Sequence, residues 1–361
     1  MYDYLIVGSG LFGSIFARQM TDKGAKCFVV DKRNHIGGNC YTKDVGGINV
    51  HEYGPHIFHT SSDRVWEYMN RWAKFNHFVY RPKVAYKGDV YSFPINLFTL
   101  YQLWGVTNPT DAKKKLDEVK VKIDNPSNLE EWILSQVGEE IYHKFVYGYT
   151  KKQWDRDPKD LPASIIKRLP IRLTYDDNYF DDKYQGIPIG GYTAIFDKLL
   201  EGVSFDLAVD YIKEKNRFDA MAKKIVYTGA IDELFDCDMG LLEWRSLRFE
   251  HETHVGDFQG NAAFNYTEEQ VPYTRICEHK HFEFGKQNHT IVTKEYPQNW
   301  NPSREKFYPM NDEKNNNLYM KYKERVDGGR YILGGRLADY KYYDMHQVVG
   351  SALVRSDKEI L

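Results

Sequence analysis

The opening of the chain alternates short apolar runs with a glycine-rich turn and a helical segment. Residues 2–7 and 27–31 are β-rich apolar runs, and residues 14–21 carry apolar positions at helical spacing. Gly24 marks the end of that helix, since glycine commonly follows the last helical residue. The pattern therefore predicts a β–turn–α–β unit at the start of the chain.

Helical signals recur further along the chain. The predicted helices span residues 111–122, residues 129–145, and a segment from Asp344 or Met345 to Leu353. Asn128 ends a break in the pattern and is the expected N-cap of the helix that follows it. Three consecutive asparagines at 315–317 form a low-complexity segment, for which we expect a surface turn.

Strand signals occupy the second half of the chain. Residues 245–296 alternate apolar and polar positions, which is typical of antiparallel strands with one solvated face. Residues 224–229 are predicted as a buried strand, and residues 330–335 are predicted as a strand that ends in two glycines. The fold class predicted is α/β.

Composition narrows the possible functions without choosing one. The 361 residues include 49 Lys and Arg against 51 Asp and Glu, a balance that argues against a protein built to coat nucleic acid. No apolar run approaches the roughly 18 residues that a membrane helix needs, and the first residues lack a secretory signal pattern. Four scattered cysteines without a CxxC pair favour reduced thiols and a cytoplasmic location. The 28 tyrosines suit a polar ligand site but are equally consistent with composition bias.

The turn after the first strand has the spacing of a dinucleotide-binding loop. Gly8 permits the tight turn, Gly10 lets a pyrophosphate approach the backbone, and Gly13 allows close packing of helix on strand. The N-terminus of the following helix offers N–H groups to phosphate. Asp31, at the end of the second strand, can accept hydrogen bonds from a ribose.

The sequence favours FAD over a nicotinamide cofactor. A second glycine-rich segment, KRNHIGGN at 32–39, resembles the signature of flavoproteins related to amine oxidases. Gly334-Gly335-Arg336 near the other end of the chain, followed by Asp344 and Met345, fits a helix N-terminus that meets the flavin. A flavin domain assembled from both chain ends must be discontinuous.

Taken together, the motifs resemble the bacterial UDP-galactopyranose mutase family along nearly the whole chain. The segments that carry the resemblance are YDYLIVGSGLFG (2–13), KRNHIGGN (32–39), YGPHIFHT (53–60), GYTKKQW (148–154), IIKRLPIR (165–172), NYFDDKYQGIPIGGYT (178–193), VPYTRICEHKHF (271–282) and GGRLADYKYYDMHQV (334–348).

The resemblance implies a three-part architecture. A Rossmann-like FAD-binding domain would comprise residues 1–75, 187–243 and 312–361. A helical insertion domain would span 97–160, and a twisted antiparallel β-sheet domain for the substrate would comprise 76–96, 161–186 and 244–311. A homodimer is suggested by the same resemblance.

The resemblance also implies a non-redox use of flavin. In the family, N5 of reduced FAD attacks the anomeric carbon of UDP-galactopyranose and displaces UDP. The sugar ring opens and closes through another hydroxyl, and UDP recombines to give UDP-galactofuranose for cell-surface polysaccharide.

The site residues are carried over from matching motifs. The expected cofactor-binding residues are Gly8, Gly10, Phe12, Gly13, Asp31, Lys32, Gly38, Asn39, His56, Ile57, Arg336, Asp344 and Met345. The expected substrate-binding residues are His59, Phe145, Tyr149, Thr150, Trp154, Arg168, Tyr179, Asn265, Arg275, Tyr308 and Tyr342. Arg168 and Arg275 would clamp the diphosphate, which favours the planar donors of arginine over lysine, and His56 would lie beside the flavin. These three are the expected catalytic residues.

Some alternatives stay open at this stage. Tyr80 stands where the family often has asparagine, so the nucleotide contacts are in doubt, and UDP-N-acetylgalactosamine is a further possible substrate. An amine-oxidase-like FAD oxidoreductase and a flavin-bearing nucleotide-sugar sensor are rival functions. No metal site is predicted: His279 and His281 are expected on one side of a strand, without a third ligand nearby.

Overall fold

The computed structural model describes residues 1–167 and 169–360. Two compact units divide the chain. The first comprises Met1–His77, Asp182–Trp244 and Lys306–Leu361, and the second comprises Phe78–Asp181 and Arg245–Glu305. The first unit is thus assembled from three separate segments of the chain. The finer division into three domains stays a prediction.

The elements are numbered in chain order. The strands are β1 (Tyr2–Val7), β2 (Cys27–Val30), β3 (Thr42–Val45), β4 (Ile48–His51), β5 (Phe58–Thr60), β6 (Lys83–Tyr86), β7 (Asp89–Ser92), β8 (Tyr184–Gly186), β9 (Ser204–Asp206), β10 (Ala222–Tyr227), β11 (Trp244–Val255), β12 (Ala263–Tyr266), β13 (Arg275–Glu278), β14 (His289–Asn299), β15 (Tyr308–Pro309) and β16 (Tyr331–Leu333). The helices are α1 (Leu11–Thr21), α2 (Asp63–Asn70), α3 (Leu97–Trp104), α4 (Pro109–Val119), α5 (Leu129–Ile141), α6 (Gly148–Trp154), α7 (Thr193–Leu199), α8 (Lys215–Asp219), α9 (Glu313–Glu324), α10 (Gly335–Ala338) and α11 (Met345–Ile360).

The first unit contains a parallel sheet with the strand order β16-β10-β1-β2-β9. The β1–α1–β2 unit that the sequence predicts is confirmed, as are the strands near 224–229 and 330–335. Helix α1 packs its buried face, which includes Ile15 and Phe16, into a core shared with α7 and α11. Sheets of this kind bind dinucleotides at the carboxyl ends of their strands, which positions the β1–α1 turn for a ligand.

The second unit contains a mixed sheet in which β11, β14, β13, β12, β6 and β7 follow one another. Its long β11–β14 pair is antiparallel, as the alternation at 245–296 predicts, and runs in register from Arg245↔Asn299 to Val255↔His289. One pair, β12–β6, is parallel, and it joins the sheet to β6, which comes from a distant part of the chain. The alternating pattern could not show this join.

Helices α3 to α6 pack on a core of their own in the second unit. Asn128 is the N-cap of α5, confirmed by its side chain, which accepts a hydrogen bond from the N–H of Glu131. The helix predicted over 129–145 is interrupted: α5 ends at Ile141, and a π-helical turn, Tyr142–Tyr147, leads into α6. Such turns are frequent at functional sites because they rotate the side chains that follow.

Three local predictions were wrong. Asn315–317 lie inside α9, where Asn315 is buried, accepts from the N–H of Glu243 and donates to Asp312. Asp312 caps this helix, which explains why the asparagines are helical despite their propensity for turns. His279 and His281 lie in a 3₁₀ helix, His279–Glu283, and the ligand atoms of His281, Asp257 and Glu278 lie within 4.8 Å of one another. Helix α11 continues past Leu353 to Ile360, since no glycine or proline stops it.

Among the residues that the structure describes, every helix is too short or too polar to cross a lipid bilayer.

Candidate functional site

The β1–α1 turn has the geometry of a phosphate-binding loop. Gly8 has a φ of +104°, which residues with a side chain rarely adopt. A Cβ on Gly13 would lie 1.9 Å from the carbonyl oxygen of Gly8. Gly10 is the N-cap of α1 and supplies no side-chain hydrogen bond to the first turn. The N–H groups of that turn therefore remain oriented for an anion such as a pyrophosphate.

The second glycine-rich segment lies against this turn. A Cβ on Gly38 would come within 3.0 Å of the Cα of Gly10, so the two backbones meet with little space between them. Asp31 is buried close by, and its Oδ2 accepts hydrogen bonds from the N–H and the hydroxyl of Ser9 at 2.7 Å and 2.6 Å. Arg33 donates to Asn39 at 2.9 Å, while Lys32 is exposed. The sequence did not anticipate the Ser9–Asp31 contact.

Gly334 and Gly335 lie close to helix α1. The ring of Phe12 is buried, and a Cβ on Gly334 would lie 2.0 Å from it, so only glycine fits there. Met345, at the start of α11, lies with its sulfur 3.6 Å from Cys40 Sγ, directly after Gly38 and Asn39. Segments from 8–13, 38–40 and 334–345 are thus assembled in the first unit, as a discontinuous flavin site requires.

His56 is half-buried and Ile57 is buried, and the guanidinium of Arg336 is among the electrostatic neighbours of His56. The Nδ1 of His56 donates to the carbonyl oxygen of Gly54 at 2.8 Å, and its backbone N–H donates to His51 at 3.1 Å. Burial lowers the pKa of His56 to about 4. His56 is therefore a neutral imidazole at physiological pH, with one nitrogen committed to the backbone.

Tyr308 and Tyr342 form a stacked pair in the first unit, with ring centroids 5.3 Å apart. The guanidinium of Arg336 lies 5.9 Å from the ring centroid of Tyr308. Tyr342 is 37% exposed, whereas Tyr308 is half-buried. The structure thus brings two of the predicted substrate residues together, and their contact with substrate stays a prediction.

Arg275 lies at the start of β13 in the second unit. Its Nε donates to Asn265 Oδ1 at 3.1 Å, its Nη2 donates to the hydroxyl of Tyr149 at 3.2 Å, and its Nη1 lies 3.9 Å from Glu295. Burial opposes the charge, but Tyr149, Tyr80 and Glu295 raise the pKa of Arg275 above its ordinary value. The result is a fixed, permanently charged guanidinium, the kind of donor that a diphosphate requires.

Helix α6 carries Tyr149, Thr150 and Trp154. Hydrogen bonds from two basic side chains, Lys152 and Arg245, hold it against the sheet and the segment next to it. The Nζ of Lys152 donates to the carbonyl oxygens of Tyr266, Val271 and Tyr273 at 2.8 Å, 2.9 Å and 2.9 Å. Arg245, which is buried, donates from Nε to the carbonyl oxygen of Gln153 at 2.8 Å. The segment that leads into β13 and the helix bearing Tyr149 are therefore held in a fixed relation.

An aromatic cluster lies close to Arg275. Tyr80 is buried, with ring centroids 5.4 Å from Tyr179 and 5.8 Å from Phe180. Phe145 packs on Tyr91 and Phe93 in the core, and Thr150 is buried as well. Burial raises the pKa of Tyr80 well above its ordinary value. Tyr80 is thus a structural neighbour of Arg275.

His59 contacts a residue that sequence reasoning missed. Its Nδ1 lies 2.5 Å from Asp182 Oδ2, and Ser61 donates to the other carboxylate oxygen at 2.6 Å. The two acidic neighbours Asp181 and Asp182 look alike in the sequence, which carried no signal for this pair. Arg168, the second predicted diphosphate clamp, lies outside the described residues.

The fold and the glycine-rich segments define a class of protein, a dinucleotide-binding flavoprotein, whose second unit carries a hydrogen-bonded arginine, Arg275. Residues 144–342 match the model of the UDP-galactopyranose mutase family, and residues 6–72 match that of NAD(P)-binding Rossmann-like domains. The chain belongs to the UDP-galactopyranose mutase family. Its enzymes are isomerases, and the cofactor of the family is FAD.

Individual relatives agree with this assignment. The chain is 39% identical to a probable UDP-galactopyranose mutase of Klebsiella pneumoniae, over 98% of this chain and 94% of that protein. It is 38% identical to dTDP-fucopyranose mutase of Escherichia coli, over 98% of this chain and 97% of that protein. A crystal structure of reduced UDP-galactopyranose mutase shares the fold, with a TM-score of 0.77 at 16% identity, covering 100% of this chain and 94% of that one.

Proposed function

We propose that this protein interconverts UDP-galactopyranose and UDP-galactofuranose without net oxidation or reduction, for cell-surface polysaccharide synthesis. The observation that carries the proposal is Arg275, held by Asn265, Tyr149 and Glu295 as a fixed cation for a diphosphate. A leaving UDP must be retained until the sugar has rearranged, and a rigid guanidinium retains it at little entropic cost.

The chain's own residues divide the remaining tasks. The first unit binds FAD through Gly8, Gly10, Gly13, Gly38 and the start of α11. When bound in its reduced form, FAD supplies a nucleophilic nitrogen, N5, for the anomeric carbon. His56, neutral at physiological pH, lies beside the flavin and adds no positive charge to its environment.

The other predicted substrate residues bind the nucleotide and the sugar. Tyr149, Thr150, Trp154 and the neighbouring Phe145 border the uridine, for which an aromatic face suits stacking worth roughly 1–3 kcal/mol. Tyr179, Tyr308 and Tyr342 donate hydroxyls to the diphosphate or ribose, and Arg168 completes the clamp. The protein acts as a cytoplasmic homodimer.

A second candidate substrate is dTDP-fucopyranose. The enzyme named for it has nearly the same identity to this chain as the Klebsiella relative and similar coverage, so overall similarity does not separate the two substrates. The reaction would be the same, since in both substrates a hexopyranose is linked to a nucleoside diphosphate. UDP-N-acetylgalactosamine is a third candidate of the same chemical class.

The test is to incubate the purified yellow protein, reduced with dithionite, with each furanose or pyranose nucleotide and to separate the products by HPLC. Interconversion of the uridine pair at a kcat/KM at least about tenfold above that of the thymidine pair is expected, which corresponds to about 1.4 kcal/mol. A preference for dTDP-fucopyranose would show that the assigned substrate is wrong and that the assigned type of reaction is right. Hydrogen peroxide release from an amine, without interconversion, would instead support an amine-oxidase-like enzyme.

A further inference from the structure

The ring of Phe12 lies between two segments from the other end of the chain. Phe12 is buried in the first turn of α1, and a Cβ on Gly334 would lie 2.0 Å from its ring, so the backbone after β16 packs directly on that ring. The guanidinium of Arg355, on α11, lies over the same ring, 5.4 Å from its centroid. A cation within about 6 Å of an aromatic ring is attracted to its face, so Arg355 provides a second contact that holds Phe12 in place.

Asp339 holds the guanidinium of Arg355 at this ring. The Nη2 of Arg355 donates to both carboxylate oxygens of Asp339, at 2.8 Å and 2.9 Å, and the hydroxyl of Tyr343 donates to Oδ2 at 3.3 Å. Asp339 is buried, whereas Arg355 is half-buried. Because a buried carboxylate needs a cation or hydrogen-bond donors, this contact fixes the guanidinium more firmly than an exposed ion pair would.

The same contacts join two segments that are proposed to bind FAD. Asp339 directly follows α10, and its backbone N–H donates to the carbonyl oxygen of Gly335 at 3.0 Å. Helix α10 carries Arg336, an expected cofactor residue, and Phe12 lies in the glycine-rich turn after β1. Arg355 therefore connects α10, through Asp339, with that turn, through Phe12, within the first unit.

The glycine-rich turn depends on such contacts to keep one arrangement. Gly10, the N-cap of α1, supplies no side-chain hydrogen bond, so the packing of the side chains that follow it must hold the N–H groups of the first turn in place. A pyrophosphate that meets N–H groups already in position loses less free energy to ordering and stays bound longer. The contacts to Phe12 are therefore expected to slow the release of FAD.

We propose that Arg355 is a positioning residue for FAD, which acts by holding the ring of Phe12 against the segment after β16, while Asp339 fixes the guanidinium there. Arg355 acts through Phe12 and needs no contact of its own with the cofactor. The role concerns the cofactor alone, so it is independent of which nucleotide sugar the enzyme rearranges.

The rate at which the holoenzyme releases FAD tests the proposal. Flavin fluorescence after dilution follows the release, and circular dichroism at the same temperature shows that the protein stays folded. Arg355→Met is expected to release FAD about five- to tenfold faster than wild type, because the ring of Phe12 loses its cation. A merely structural role would lower the melting temperature and leave this rate unchanged.

Arg64→Met is the matched control, because it also removes an ion pair from α11. Arg64 donates to Asp357 of that helix at 2.6 Å, and both side chains are exposed, so a release rate within about twofold of wild type is expected. A release rate for Arg355→Met within about twofold of this control would overturn the proposal.

Arg355→Lys covers the case in which the methionine variant does not fold. Lysine keeps a cation for Asp339 but lacks the planar guanidinium, so FAD release about threefold faster than wild type is expected. A release rate equal to that of wild type would contradict the proposal.

Phe12→Leu shows whether Arg355 acts through the ring. In this background, Arg355→Lys is expected to have little further effect on FAD release, because the ring on which it acts is already gone. The same acceleration with and without the ring of Phe12 would show that Arg355 acts elsewhere and would overturn the proposal.

Discussion

The hydroxyl of Tyr149 accepts a hydrogen bond of 3.2 Å from the Nη2 of Arg275. Tyr149 belongs to α6 and Arg275 to β13, so this contact joins a helix to the sheet within the second unit. Asn265, from the neighbouring strand β12, occupies the Nε of the same guanidinium. Two of the three guanidinium nitrogens are therefore oriented before any substrate binds, which reduces the entropy lost when a diphosphate binds.

Arg275→Lys is expected to raise the Kd for UDP by about 10–100-fold. Hydrogen bonds to charged groups contribute roughly 1.5–3 kcal/mol each, and lysine lacks the planar set of N–H donors of a guanidinium. FAD content is expected to be unchanged, since the flavin residues belong to the other unit. Isothermal titration with UDP and the flavin absorbance of the same sample measure both quantities. Arg248→Lys is the control, because Arg248 pairs with the exposed Glu250 and stacks on Tyr296. Equal UDP affinities in the two variants would remove Arg275 from the diphosphate site.

Lys152→Met is expected to weaken UDP binding by about tenfold or more, although Lys152 is not assigned a contact with the ligand. Loss of the ammonium leaves three backbone carbonyl oxygens without their donor, at roughly 1–3 kcal/mol for each buried group left unsatisfied. Helix α6 then shifts, and Tyr149 with it. A lower melting temperature, read by circular dichroism, should accompany the weaker binding.

Lys151→Met provides the comparison for Lys152→Met. Lys151 is the adjacent residue of the same helix, but its ammonium forms an exposed ion pair with Glu269 at 2.9 Å. Exposed pairs of this kind contribute little to stability because solvent screens them, so little change is expected in either UDP affinity or melting temperature. If the two methionine variants behaved alike, the fastening role of Lys152 would be wrong.

These adjacent lysines show where sequence reasoning stops. The strand, helix and strand at residues 2–30 follow from local periodicity and glycine chemistry, so the sequence predicts them directly. The role of Lys152 depends on three carbonyl groups more than a hundred residues away, and nothing local separates it from Lys151. Asp181 and Asp182 differ in the same way, since only the pairing of β5 with β8 selects Asp182 for His59.

The asparagines at 315–317 show a different limit. Their propensity favours a turn, yet Asn315 is buried and its side chain hydrogen-bonds Glu243 and Asp312. Tertiary contacts outweigh a propensity of a few tenths of a kcal/mol, about the size that separates asparagine from good helix formers. Likewise, the resemblance named Tyr149, Asn265 and Arg275 separately, while only the structure shows that they are hydrogen-bonded to one another.

Gly10→Ala is expected to leave the protein folded and to remove most of its bound FAD. A Cβ at this position would meet only the Cα of Gly38, at 3.9 Å, which is an ordinary contact, so the fold tolerates alanine. A pyrophosphate must approach the backbone at this glycine, and the added methyl obstructs it. The ratio of flavin to protein absorbance and a thermal melt measure the two effects separately.

Gly13→Ala and Gly328→Ala are the two comparison variants for Gly10→Ala. Alanine at position 13 would place its Cβ 1.9 Å from the carbonyl oxygen of Gly8, so this variant should lose stability as well as FAD. Alanine at position 328 would project its Cβ into open space, with nothing beyond its chain neighbours within 4 Å among the described residues, so Gly328→Ala should change neither quantity. Full FAD occupancy in Gly10→Ala would show that the dinucleotide does not pass this turn.

His279 provides a prediction about pH and stability that is separate from the site. It is buried with Nε2 2.5 Å from the hydroxyl of Thr293, and burial lowers its pKa to about 3. Because the unfolded chain binds this proton at about pH 6.5 and the folded chain does not, stability is lost as the pH falls from about 6.5 towards 3. At about pH 5 the loss attributable to His279 is roughly 2 kcal/mol.

His279→Gln keeps a polar partner for Thr293 and does not titrate. The difference in unfolding free energy between wild type and variant, from denaturant titrations at about pH 7.5 and 5, should therefore shift by roughly that amount in favour of the variant at the lower pH. An unchanged difference between the two pH values would mean that His279 takes up its proton in the folded protein.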